Sequence, residues 1–93
     1  MSKKIRLRAN FSGTVQGVGF RFTARKIANR YEVTGFVKNL PNRQVEVVAE
    51  GDREVVESFI SDIYSSSLSD YIRNMEKESS PAMGEYSGFN IEF

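Results

Sequence analysis

Cysteine and histidine are both absent from this 93-residue chain. Without thiols there is no disulfide and no thiolate nucleophile. Without imidazole there is no Ser-His or Cys-His pair and none of the usual zinc sites. A long apolar run is also missing, so no membrane span is expected. Met1-Ser2-Lys3-Lys4 is basic, but the residues after it alternate apolar and charged and form no signal-peptide core. The expected location is therefore the cytoplasm. Excess charge is lacking too. Lys+Arg 13 against Asp+Glu 12 leaves a net +1, which gives no electrostatic case for a nucleic-acid partner. No large apolar patch argues for more than a monomer.

What is present suits one domain over residues 1–93, with a modest core that needs no staples. Ile5, Leu7, Ala9 and Phe11 alternate with Arg6, Arg8 and Asn10, which reads as a strand with one buried face and one solvated, basic face. From Phe20 the period changes. Phe20, Ala24, Ile27, Ala28 and Tyr31 follow helical spacing, and this helix is expected to end near Tyr31–Glu32. Residues 34–40 and 44–50 read as two strands joined by a hairpin turn at Pro41-Asn42-Arg43, with Asn42 suited to the left-handed region. In the second of these strands Val45, Val47 and Ala49 face one way; Glu46, Val48 and Glu50 face the other, and the two glutamates read as exposed.

Gly51-Asp52 stops that strand, and Asp52 is suited to cap a helix. Val55, Val56, Phe59, Ile60 and Ile63 form the helix's apolar stripe, and Ser65-Ser66-Ser67 ends it. Residues 70–78 are less regular: Ile72 and Met75 point inward at an odd spacing that predicts an irregularity or a bulge. Ser79 to Ser87 reads as a loop, and Gly88 to Phe93 as a closing strand. The order β-α-β-β-α-β, with a short final strand, predicts an α+β, ferredoxin-like sandwich: an antiparallel sheet with two helices on one face.

The chemistry concentrates in Gly13-Thr14-Val15-Gln16-Gly17-Val18-Gly19-Phe20-Arg21, between the first strand and the first helix. Glycines before a helix N-terminus leave backbone N–H groups free to converge on an anion. The expected donors run from Val15 through Gln16, Gly17, Val18 and Gly19 to Phe20, with Arg21 as a bidentate clamp. A tight turn that needs glycine for its geometry also accounts for the glycines. Arg21, however, opposes the helix dipole at about 0.3–1 kcal/mol, and an anion beside it would give it a reason to be there. The loop has neither the Lys-Ser/Thr pair of a P-loop nor the parallel βαβ unit of a Rossmann turn.

Asn39, at the end of Gly35-Phe36-Val37-Lys38-Asn39, both donates and accepts hydrogen bonds, so it could hold a water in line with a bound phosphorus. It could equally start the turn. Lys38 points to the other face, and the serine run has no histidine partner.

The stretch from Gly13 to Arg21 resembles the first signature of the acylphosphatases, G-x-V-Q-G-V-x-F-R. Gly35-Phe36-Val37-Lys38-Asn39, followed by Val45 and Gly51, resembles their second. With the order of elements, the resemblance covers essentially the whole chain. It implies hydrolysis of the carboxyl–phosphate bond of small acyl phosphates, with Arg21 binding the phosphate, Asn39 positioning the attacking water and the loop amides holding the phosphoryl oxygens. No metal or organic cofactor is implied. The acyl group is expected to lie toward solvent, with no residue of the sequence clearly reading it. Two places depart from the family pattern. Asn42-Arg43 stands where Asp-Gly is usual, and Ser65 to Asp70 lacks the common Gly-Pro. The alternatives are a non-catalytic anion-binding or interaction module on the same fold and an RNA-binding ferredoxin-like domain. The near-neutral charge and the absence of base-stacking strand motifs count against the latter.

Overall fold

The computed structural model describes residues 3–93; Met1 and Ser2 of the basic N-terminal stretch lie outside them. The chain runs β1 (Lys4–Gly13), α1 (Phe20–Ala28), β2 (Thr34–Asn39), β3 (Val45–Asp52), α2 (Arg53–Tyr64), a 3-10 turn (Ser67–Tyr71), β4 (Ile72–Pro81) and β5 (Phe89–Glu92). The sheet order is β4-β1-β3-β2-β5. All pairings are antiparallel except β2 with β5, which is parallel, so the expected antiparallel sheet carries one parallel edge.

The alternation in β1 and β3 does what the sequence implies. Ile5, Leu7, Ala9, Phe11, Val45, Val47 and Ala49 are buried on one face, beneath Phe20, Ala24, Ile27 and Ala28 of α1 and Val56, Phe59, Ile60 and Ile63 of α2. Aromatic contacts tie the layers together. Phe11 meets Phe20 with ring centroids 5.0 Å apart, and Phe59 meets Phe89 edge-on at 5.2 Å. At the other end of the helix layer the Tyr31 hydroxyl donates to the Asp62 carboxylate, and this hydrogen bond holds the phenol above its ordinary pKa.

Several local expectations shift. Helix α1 ends at Ala28, three residues before the expected stop. Arg30 N–H donates to Ile27 O and Tyr31 N–H to Ala28 O, both at 3.0 Å, so the chain tightens into a turn. Asp52 occupies the N-cap position of α2, but its side chain makes no capping hydrogen bond. The expected loop from Ser79 begins later, because β4 continues to Pro81. Ser79, Ser80 and Pro81 pair opposite Leu7, Arg6 and Ile5 on the long β1 edge, and a proline is tolerated there because β4 is an edge strand. The bulge predicted near Ile72 is present: Ser12 faces Asn74 while Gly13 faces Ile72.

The largest correction is Glu50. It is 4% exposed, the one buried charged residue among the described residues. Its two carboxylate oxygens accept the N–H groups of Met83 (3.0 Å) and Gly84 (2.9 Å). The segment after β4 thus folds across the sheet face opposite the helices. Tyr86 packs edge-on against Phe36 at 5.7 Å, and the Arg6 guanidinium lies 5.6 Å from the Tyr86 ring centroid. Alternation located the two faces of β3 but could not show that a distant segment covers the second one.

The hairpin between β2 and β3 also differs in detail. Arg43, not Asn42, is left-handed, with φ 71°, the only non-glycine with positive φ among the described residues. Arg43 N–H donates to Leu40 O (3.2 Å), Leu40 N–H to Gln44 O (2.8 Å), and Gln44 N–H to Asn42 Oδ1 (3.1 Å). This is a three-residue hairpin, in which the last loop position favours glycine. The left-handed conformation costs an L-residue about 1 kcal/mol. Arg43→Gly is therefore expected to raise the thermal midpoint by roughly 4–8 °C, the shift that about 1 kcal/mol gives in a domain of this size. A melting curve of the variant checks this; an unchanged or lower midpoint would contradict it.

Candidate active site

Strand register brings the two sequence motifs to one end of the sheet. β1 and β2 flank β3, and Phe11 of β1 and Asn39 of β2 both pair with Val45. The ends of β1 and β2 are therefore two strand spacings apart, about 10 Å. The glycine loop leaves β1 at Gly13 and spans this gap before entering α1.

Three contacts fix the loop. Val15 is fully buried in the core. The Phe11–Phe20 ring pair holds its two flanks together. Gln16 reaches across the start of β3, and its side-chain amide donates to Leu40 O (2.8 Å) and Gln44 O (2.9 Å) of the hairpin. Gly17 and Gly19 have φ of 81° and 78°, a region that residues with a Cβ enter at a cost. Gly19 is the N-cap of α1 and supplies no side-chain hydrogen bond, and the first turn holds no acidic residue. The first-turn N–H groups of α1 are thus left without a side-chain cap, facing the loop.

The loop closes a cavity of about 140 Å³ lined by Val15, Gly17, Gly19, Phe20, Arg21, Phe22 and Asn39. Arg21 and Asn39, 18 positions apart in sequence, share this one wall. Gln16 and Val18 are not among the lining residues. The Gln16 side chain turns to the hairpin, and Val18 packs against the core. The Arg21 guanidinium carbon sits 4.8 Å from the centroid of the Phe93 ring. The hydrogen bonds that close the hairpin come from Leu40, Asn42, Arg43, Gln44 and Gln16. The turn is thus held without the Asn39 side chain, which weakens the reading of that residue as a turn former.

Larger hollows, of about 360 and 340 Å³, lie at the opposite end of the sheet. Glu32 with Glu50 lines one, and Glu32 with Asp52 lines the other. Lys4 lines both and Arg30 the second, so their charge is mixed; neither sets an arginine beside a glycine-rich helix start, and size alone does not mark the site. Sequence reasoning missed two features at the loop end: the side-chain role of Gln16 and the presence of Phe22. The signal for Phe22 is an aromatic residue at an outward position of an amphipathic helix, where it is 70% exposed.

A family model described as Acylphosphatase matches residues 7–91. An acylphosphatase of Methanospirillum hungatei is 42% identical over 81 residues, covering 86% of this chain and 88% of that protein. One from Paenarthrobacter aurescens is 37% identical over 87 residues, covering 94% and 93%. The crystal structure of acylphosphatase from Bacillus subtilis superposes with a TM-score of 0.87 at 28% identity, covering 96% of this chain and 99% of that one.

Inorganic phosphate is expected to shift the amide resonances of residues 15–20 selectively in an NMR titration, since Val15, Gly17, Gly19 and Phe20 of that stretch line the cavity beside an uncapped helix start. Gln16→Ala removes two hydrogen bonds to carbonyls that keep their backbone N–H partners; it is expected to lower stability by about 1–2 kcal/mol and to weaken phosphate binding as the loop loses its anchor. Shifts scattered over the surface, or a variant with wild-type stability and affinity, would contradict these expectations.

Proposed function

The chain belongs to the acylphosphatase family, and from that we propose that Arg21 and Asn39 carry out the hydrolysis. The enzyme hydrolyses the carboxyl–phosphate bond of acyl phosphates, giving a carboxylate and inorganic phosphate. The observation that carries the assignment of residues is the shared cavity: one guanidinium, one free-standing amide side chain and a glycine-rich helix start line the same small space.

In this reading the loop amides from Val15 to Phe20 receive the phosphoryl oxygens, and Arg21 grips two of them in its planar fork. Asn39 accepts a hydrogen bond from a water and places its oxygen behind phosphorus, in line with the bond that breaks. The P–O bond to the acyl oxygen opens as the water oxygen bonds to phosphorus, and the carboxylate departs with the bonding electrons. Its conjugate acid has a pKa of about 4, so the leaving group needs no general acid. Positioning and charge stabilisation are then sufficient, which fits a chain without histidine or cysteine. Near-neutral charge supports a small-molecule substrate over a nucleic acid. Among the described residues no helix is long and apolar enough to cross a membrane. A monomer acting in the cytoplasm on a small acyl phosphate, with no metal or cofactor, completes the proposal.

Two variants separate the roles. Arg21→Lys keeps the charge but loses the two-point grip, so a large rise in KM for benzoyl phosphate is expected, with a fall in kcat if the grip tightens in the transition state. Asn39→Ala is expected to lower kcat by roughly 10²–10³, the loss of one well-placed transition-state hydrogen bond. It should leave phosphate inhibition and the thermal midpoint near wild type. An Asn39→Ala protein that melts earlier yet turns over at the wild-type rate would make Asn39 a turn residue, and unchanged kinetics in Arg21→Lys would remove Arg21 from the site.

A further inference from the structure

The cavity beside Arg21 is too small for a whole aromatic acyl phosphate. Its volume is about 140 Å³, and a cavity of about 150 Å³ is filled by a single benzene. With a phosphoryl group among the loop amides, any sizeable acyl group must leave through the mouth. Phe22 stands there. It lines the same cavity as Arg21 and Asn39 and is 70% exposed. Its place on α1 gives no structural reason for an aromatic ring, since the helix packs on the core through Phe20, Ala24, Ile27 and Ala28. A second exposed ring, Phe93, lies against the Arg21 guanidinium and is 96% exposed. Single exposed apolar residues are ordinary. One phenyl ring over the Arg21 guanidinium and another lining the same cavity as Arg21 call for a ligand with an apolar part next to its charge.

We propose that Phe22 forms an acyl-group subsite that makes aromatic and bulky apolar acyl phosphates the favoured substrate class. This rests on the assignment of Arg21 and the loop to the phosphoryl group. The phosphate anchors the substrate inside; the carbonyl-bearing end projects past the start of α1; its apolar face covers the Phe22 ring. A ring-on-ring contact of that kind is offset or edge-on and adds to simple area burial. An acetyl group is too short to reach across the ring, so it gains little. Charged acyl groups gain nothing from the phenyl face and lose solvation against it.

The test compares kcat/KM for benzoyl phosphate and acetyl phosphate in the wild type, Phe22→Ala and Phe22→Tyr, together with the inhibition constant of inorganic phosphate. The wild type is expected to favour benzoyl phosphate. Phe22→Ala should cut the benzoyl-to-acetyl ratio of kcat/KM by about 3–10-fold, in line with measured aromatic pair contributions, and Phe22→Tyr should restore it. Because Phe22 is exposed, the alanine variant should keep the wild-type melting curve. An unchanged ratio in Phe22→Ala, with both substrates still hydrolysed, overturns the subsite and leaves the hydrolase reading standing. A wild-type protein that binds phosphate but hydrolyses neither compound overturns the hydrolase reading and the subsite with it.

Discussion

The glycine-rich loop depends on the contact between Phe11 and Phe20. These rings close the two ends of an eight-residue excursion, one at the last core position of β1 and the other at the first residue of α1. Both are buried, and burying such side chains contributes about 1.5–3 kcal/mol each relative to exposure. That burial fixes where the strand ends and where the helix begins. The loop between them has to reach from one to the other, and Gly17 and Gly19 supply the left-handed backbone that lets it. Gln16 then fastens the middle of the loop to the hairpin carbonyls. These contacts hold the loop backbone in one shape.

The sheet register does the second part of the work. Because β1 and β2 both run against β3, the loop after β1 and the last residue of β2 arrive at the same end of the sheet. The first turn of α1 carries no acidic residue and no side-chain cap, and Arg21 in that turn adds a positive charge to the positive end of the helix dipole. Both features weaken the isolated helix, and both favour an anion at this spot. The same region thus gives up local stability that the core beneath it supplies.

The opposite sheet face shows a different economy. Glu50 is buried, but both oxygens accept backbone N–H groups from the crossing segment, so a charge that would be costly alone becomes a fastening. Strict alternation in β3 separates two sides without saying what lies over them, so the sequence alone makes this face look exposed. The left-handed Arg43 was missed for a related reason. Asparagine is the usual residue for that region, yet the hairpin's own hydrogen bonds place Asn42 one position earlier, with its side chain accepting Gln44 N–H, and leave the strained position to Arg43.

The sequence by itself determined the layer arrangement, because the periods of two and 3.6 residues are local consequences of backbone geometry. It also marked the loop, because glycines and an arginine at a helix start carry their chemistry wherever the chain goes. Tertiary structure alone decided that Arg21 and Asn39 share a wall, that Gln16 is an anchor, that Glu50 is covered, that β5 joins parallel to β2, and that Phe22 stands at the cavity mouth. Each of these depends on which residues distant in sequence meet across the sheet. That is set by register and by the burial of the whole core at once, and no short window of sequence contains it.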